Sequence, residues 1–301
     1  MQPTRRDFLA PATWRRAAVL TSTVGALALA TSLPAAAINS YNAAPAPERT
    51  EVGALIAVWD NDADPTTPDR VDWICSGTMI DADTFLTAAH CTGGWTESED
   101  PDFSVSLDED VQGALDAAAV AHPADPDAVA AAAGVGGTAH THPAYPGDSS
   151  DSKDIAVVEL PAEDVAARWS FTPATLPTAG LFDALGPRGL DAADWSVAGY
   201  GTQEGTTGAN GHPGGGVRLQ APLTFSALNA TWLRLGMIEA QGSGGACYGD
   251  SGGPNFALVD GERVLAGTTI TGDVPCYATN VAYRLDTPVA REFLAPFVAL
   301  P

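Results

Sequence analysis

Basic side chains are scarce in this chain. Only 14 Lys and Arg stand against 37 Asp and Glu in 301 residues, a formal charge of −23. Such a field repels duplex nucleic acid and anionic membrane, so neither is expected as a partner. The acidity itself reads as a solubility feature. Cysteines number four, none precedes Cys75, and no CxxC spacing occurs. The first absence excludes a lipid-modified N-terminal cysteine, and the second argues against a zinc site. No internal repeat is present. The one long apolar run, Ala17 to Leu33, is about 17 residues with several hydroxyls, which is short for a membrane span. Apolar residues make up 45%, so disorder is excluded as well.

Turn formers are plentiful, with 31 Gly and 23 Pro, and that mixture suits an all-β protein better than a helical bundle. The length allows one large or two small domains. Short apolar segments bounded by Gly, Pro, Asp and Ser mark candidate strands at 52–59, 78–80, 85–89, 155–160, 195–200, 223–225, 256–259 and 264–270. Their spacing favours barrels or sandwiches. One helix is predicted near the C-terminus, with Thr287 as cap, Pro288 in the first turn, and Val289, Phe293 and Leu294 on its apolar face, ending near Pro296. Asp60–Asp72 and Gly205–Gly216 read as surface loops, the second mobile. Thr96–Thr141 is ambiguous, Ala- and Asp-rich, with room for a short helix in a long insertion.

Residues 1–37 read as a signal peptide rather than fold. Arginine pairs at Arg5-Arg6 and Arg15-Arg16 precede the apolar run, and Ala35 and Ala37 supply the small residues of a cleavage site. Thr4 to Ala10 (TRRDFLA) resembles a twin-arginine export signal, although Pro11 to Arg16 separate it from the run, so a general secretory signal is an equal rival. Removal leaves residues 38–301 with 10 basic and 36 acidic side chains. The expectation is a secreted, extracellular protein with no stable membrane anchor, monomeric. An even cysteine count in an exported chain suggests two disulfides. Four cysteines allow three pairings. The local one, Cys75–Cys91 with Cys247–Cys276, closes short loops and sets a bridge beside two of the motifs below.

Three motifs carry chemistry. In LTAAHC, Leu86 to Cys91, a histidine follows an apolar strand and is tied down at the next residue, the restraint a general base needs. In DIAVVEL, Asp154 opens a strongly apolar strand, where a carboxylate needs a partner such as an imidazole N–H. In GDSGGP, Gly249 to Pro254, glycines on both sides of Ser251 permit a tight loop whose N–H groups converge. Those of Gly249 and Ser251 can stabilise an oxyanion, about 3 kcal/mol for each good donor. In the order His90, Asp154, Ser251 the three suit nucleophilic acyl transfer.

On these motifs the chain resembles the chymotrypsin (trypsin-like) family of serine proteases, bacterial secreted members included. CSGTMI (Cys75 to Ile80), VAGYGT (Val197 to Thr202) and NVAYRLD (Asn280 to Asp286) extend the resemblance over nearly all of residues 38–301. It implies two six-stranded antiparallel β-barrels, a C-terminal helix, and a triad in the cleft. It implies also that His90 accepts the Ser251 proton while Asp154 holds the ring. An amine freed at Ile38 by cleavage after Ala37 would pair with Asp250. Substrates are proteins or peptides, with no cofactor and no metal.

The resemblance puts Gly245 at the base of the primary pocket, Gly272 at its wall and Asn280 near its back. No Asp stands at 245, so a neutral pocket favouring apolar or aromatic side chains is expected, with Asp273 near the rim. One departure is Ile270, where the family places a serine supporting the buried aspartate. Thr269 and Thr271 are the candidates to compensate. The alternative reading is a catalytically weak or inactive homologue that acts as a binding protein, which such proteins usually betray by a lost triad residue. An α/β-hydrolase is excluded, because no histidine follows Ser251. His140 and His142 offer only a weak metal pattern.

Overall fold

The computed structural model describes Ile38 and residues 42–59, 69–95, 101–147, 153–203 and 214–301. The predicted signal peptide lies outside the described residues, as do most of the two predicted loops. Strand β1 (Ala44–Pro45) is a short edge. Strands β2 (Val52–Trp59), β3 (Arg70–Met79), β4 (Thr84–Thr87), β5 (Asp102–Ser106), β6 (Val135–Thr141) and β7 (Ala156–Glu159) close a six-stranded antiparallel barrel in the order β2-β3-β4-β7-β6-β5. Leu55, Met79, Phe85, Leu86, Val105 and Val157 belong to its buried core cluster, all without exposure. Every residue of β2 is buried, because the helix Pro126–Ala133 lies over its outer side. That double cover is why Val52–Trp59 reads as one apolar run instead of alternating.

Strands β8 (Asp194–Gly199), β9 (Leu219–Leu228), β10 (Trp232–Gly236), β11 (Pro254–Val259), β12 (Glu262–Gly272) and β13 (Thr279–Arg284) form the second barrel. Its order is β8-β9-β10-β13-β12-β11, and the β11–β8 pairing closes it. β1 adds to one end of β9, Ala44 opposite Gln220. The fold is thus two six-stranded antiparallel β-barrels, as the resemblance implied.

The C-terminal helix spans Pro288–Leu294, and the Thr287 hydroxyl accepts the Ala290 N–H at 3.3 Å. Its buried face is Ala290 and Leu294, flanked by Phe293. Val289 is 43% exposed, correcting its place on the apolar face. Further helices appear in the described residues. Val111–Ala121 and Pro126–Ala133 occupy the ambiguous insertion, capped by Asp110 (Gly113 N–H, 2.8 Å) and Asp125 (Ala128 N–H, 3.0 Å). Ala162–Arg168 and Leu181–Ala192 lead into the second barrel.

The barrels meet around a buried cation. Arg218, 4% exposed, donates from Nε to Ala46 O (3.1 Å) and from Nη1 to Val52 O (3.0 Å), Leu107 O (2.9 Å) and Tyr200 Oη (3.1 Å). Tyr200 in turn donates its hydroxyl to Asp108 O at 2.7 Å, and burial pushes its phenol up to about 12. A charge here is tolerated because carbonyl oxygens take up its N–H groups.

Candidate active site

His90 sits in the single-turn helix Ala89–Thr92 directly after β4, and Cys91 beside it is bonded to Cys75 on β3. Asp154, fully buried, stands two residues before β7, which pairs with β4. The antiparallel pairing therefore brings the strand end carrying His90 to the strand start carrying Asp154. Both carboxylate oxygens bind the histidine: Oδ2 lies 2.8 Å from Nδ1 and Oδ1 accepts the His90 backbone N–H at 2.9 Å. A carboxylate on Nδ1 fixes that nitrogen as the donor and leaves Nε2 free to accept.

Ser251 comes from the loop between β10 and β11. Gly249 (φ 95°) and Gly252 (φ 76°) there occupy the left-handed region, and a side chain at Gly249 would meet the Trp73 ring within 2.5 Å. His90 and Ser251 line one cavity of about 290 Å³, whose walls include Ala246, Tyr248, Ile270, Gly272 and Asn280. The second disulfide, Cys247–Cys276, ties the Ser251 loop to the β12–β13 connection across this cavity.

The other sequence-predicted residues divide. Gly272 and Asn280 face each other in the β12–β13 register, and both line the cavity. Gly245 does not line it: a Cβ there would point at Met237, 2.0 Å from Sδ. Asn280 donates from Nδ2 to Asn255 Oδ1 (2.7 Å), and Asn255 donates to Thr269 Oγ1 (2.9 Å). Thr269 is thus engaged away from Asp154, Thr271 is exposed, and Ile270 is buried. Among the described residues both donors to Asp154 belong to His90. At the rim, Asp273 turns its carboxylate onto the N–H groups of Tyr277 (2.9 Å), Ala278 (2.9 Å) and Thr279 (2.5 Å). Burial raises this carboxyl, but the backbone bonds outweigh it and hold it below the usual range.

Asp250 is fully buried, and Ile38 lies nearby in the second-barrel core without exposure. Asp250 accepts N–H groups from Gly201 (Oδ1, 2.8 Å) and Cys247 (Oδ2, 2.8 Å). Burial pushes its carboxyl up to about 7, against the pull of those two bonds. Ile38 donates its N–H to Gly201 O at 3.2 Å and has φ 66°, an outlier for a β-branched residue. Gly201 therefore touches both members of the predicted pair.

Cys75, His90 and Cys91 form a metal-sized cluster among the described residues, but both sulfurs are spent in the disulfide and are not thiolate ligands. His140 Nε2 pairs with Glu159 at 2.6 Å, and His142 Nδ1 accepts the Ala144 N–H at 3.1 Å.

Residues 65–294 match the family model described as Trypsin. That match, on a double barrel of this order, makes the protein a serine endopeptidase, a hydrolase of chymotrypsin-like architecture with protein substrates. More narrowly, the match covers most of the chain, and the chain belongs to the trypsin family. No curated protein matches it. Among the described residues no helix is long and apolar enough to cross a membrane.

Proposed function

We propose that Ser251 is the nucleophile, His90 its general base and Asp154 the group that orients and stabilises the imidazolium. Support comes chiefly from the two-point grip of Asp154 on His90, 2.8 Å at the ring and 2.9 Å at the backbone, on the wall of the cavity that also holds Ser251. Nε2 takes the Ser251 proton as Oγ attacks the scissile carbonyl, then delivers it to the leaving amine, and water repeats the sequence on the acyl-enzyme. The N–H groups of Gly249 and Ser251 bind the tetrahedral oxyanion.

Gly272 and Asn280 on the cavity wall are uncharged, and the Asp273 carboxylate beside them is taken up by the Tyr277, Ala278 and Thr279 N–H groups, which favours a neutral primary pocket for apolar or aromatic side chains. Residues 1–37 serve as the export signal, by the twin-arginine or the general secretory route, and residues 38–301 are the secreted, monomeric protease domain. Cleavage after Ala37 frees an amine that pairs with Asp250.

Intact mass of the secreted protein before and after a fluorophosphonate tests this reading, with Ser251→Ala as control. A single adduct absent from the control is expected, on a chain that begins at Ile38. A folded chain from Ile38 that takes no adduct would overturn it.

A further inference from the structure

Ser76 is the residue whose contacts the proposed machinery leaves unexplained. It lies on β3 of the first barrel, is fully buried, and reaches across the junction into the Ser251 loop of the second. Its Oγ is 2.9 Å from the Tyr200 backbone nitrogen and 2.9 Å from the Gly249 carbonyl oxygen. A backbone nitrogen can only donate and a carbonyl can only accept, so the hydroxyl proton must point at Gly249 O. Its own backbone N–H donates to Ser251 O at 2.9 Å. One residue thus grips the carbonyls of Gly249 and Ser251, on either side of Asp250.

Those carbonyls belong to the peptide units that alternate with the units carrying the Gly249 and Ser251 N–H groups. Gly249 has a glycine's freedom at φ 95°, so local sterics do little to keep its peptide from turning over. Within the loop that peptide is held at its N–H end, where Asp250 donates to Cys247 O at 3.1 Å; its carbonyl end is held from outside, by Ser76. Ser76 is itself fixed, since its carbonyl accepts the Thr87 hydroxyl at 2.9 Å. Space around it is closed: a Cβ on Gly199 would fall 2.9 Å from Ser76 Oγ, and one on Gly253 3.1 Å from Ser76 Cβ.

We propose that Ser76 is a positioning residue that holds the oxyanion-binding peptides of the Ser251 loop in register, acting through the Gly249 carbonyl. The inference rests on the triad reading given above. Removal of the hydroxyl leaves the buried Gly249 carbonyl and Tyr200 N–H without their partner, and the Gly249–Asp250 peptide, then held only at its Asp250 N–H, tilts and shifts the donors that must meet the transition state.

The test is Ser76→Ala, with Ser76→Cys as a second variant that keeps a weak donor of similar size. Steady-state kinetics on a peptide amide and affinity for a peptidyl aldehyde are measured for each. Ser76→Ala is expected to lower kcat about tenfold, equivalent to about 1.4 kcal/mol of transition-state stabilisation, while KM stays within about twofold. Aldehyde affinity falls by the same factor, because its tetrahedral adduct needs the same donors. Ser76→Cys is expected between the two and carries the test alone if the alanine variant does not fold. A purely structural role lowers thermal stability and leaves kcat and aldehyde affinity of the folded fraction unchanged, and that result would overturn the proposal. Fluorophosphonate labelling separates the two readings. A labelled wild type with an unimpaired Ser76→Ala refutes this inference alone, whereas an unlabelled, folded wild type refutes the triad reading and this inference with it.

Discussion

Consider two forms of the chain, one that retains residues 1–37 and one that begins at Ile38. In the first, the Ile38 nitrogen is an amide bonded to Gly201, and among the described residues Asp250 meets two N–H groups and no cation. Its carboxyl titrates at about 7 in the fold, against roughly 4 in an unfolded chain. Between those values the folded state holds one proton more than the unfolded state. Stability therefore falls by about 1.4 kcal/mol for each pH unit of increase, about 4 kcal/mol in all, and levels off above pH 7. In the second form an ammonium group can stand beside Asp250, which then ionises in company. The part of the fall between about pH 4 and 7 that Asp250 contributes should vanish, while the shares of Glu51 and Asp72, also raised by burial, remain in both forms. A new loss should begin once the pH passes the amine's own range, about 8 in an unfolded chain and higher when paired. Urea denaturation followed by tryptophan fluorescence, from about pH 4 to about pH 9, measures both curves. Equal slopes in the two forms would refute the pairing, and a flat curve for the longer form would refute the buried, uncompensated carboxyl.

Three further expectations follow from single contacts. Gly245→Asp should not create cleavage after Arg or Lys, because the new Cβ falls 2.0 Å from Met237 Sδ, and it should destabilise by about 1–3 kcal/mol; a peptide-library profile with a clear basic preference would count against the geometry. Arg218→Met should cost at least about 3 kcal/mol in chemical denaturation, since it strips hydrogen bonds from the buried carbonyls of Ala46, Val52 and Leu107. Asp273→Asn should lower Tm at neutral pH and lose that effect in acid. Its depressed carboxyl stabilises the fold above the ordinary carboxylate range and ceases to do so as the pH falls through its folded value. A deficit that persists unchanged in acid would argue against it.

The site was legible where its chemistry is written in contiguous strings. LTAAHC, DIAVVEL and GDSGGP each carry one group of the proposed triad together with the local restraint it needs. The two disulfides also follow the local pairing. Much of the barrel framework was legible too, with β2 found end to end. Strand β6 was missed because it lies inside the ambiguous stretch 96–141, where Gly136 and Gly137 deprive it of an apolar alternation. In the barrel, the bare Cα of Gly137 admits the Glu159 carbonyl to 2.6 Å of where a Cβ would stand. The helices at 111–121 and 126–133 had their capping aspartates in plain view, and Pro126 in the first turn, but an alanine-rich stretch shows little periodicity. Ser76 was illegible for a different reason. Its partners Tyr200 and Gly249 lie 124 and 173 residues away, and no local pattern encodes such contacts.

The two ends of the described chain change places. Ile38 and β1, which come first, belong to the core and sheet of the second barrel. The helix Pro288–Leu294 and the residues after it, which come last, pack on the first: Phe293 and Phe297 lie against His142 and His140, and Thr84 donates to Phe297 O at 3.3 Å. Neither barrel is therefore completed by its own stretch of sequence. A ribosome that has released only the first half holds a barrel whose cover is still unmade, beside a leading arm whose docking site does not yet exist. Separately expressed halves should lack independent stability. The whole should fold slowly, through contacts of long sequence separation, and unfold in a single cooperative step.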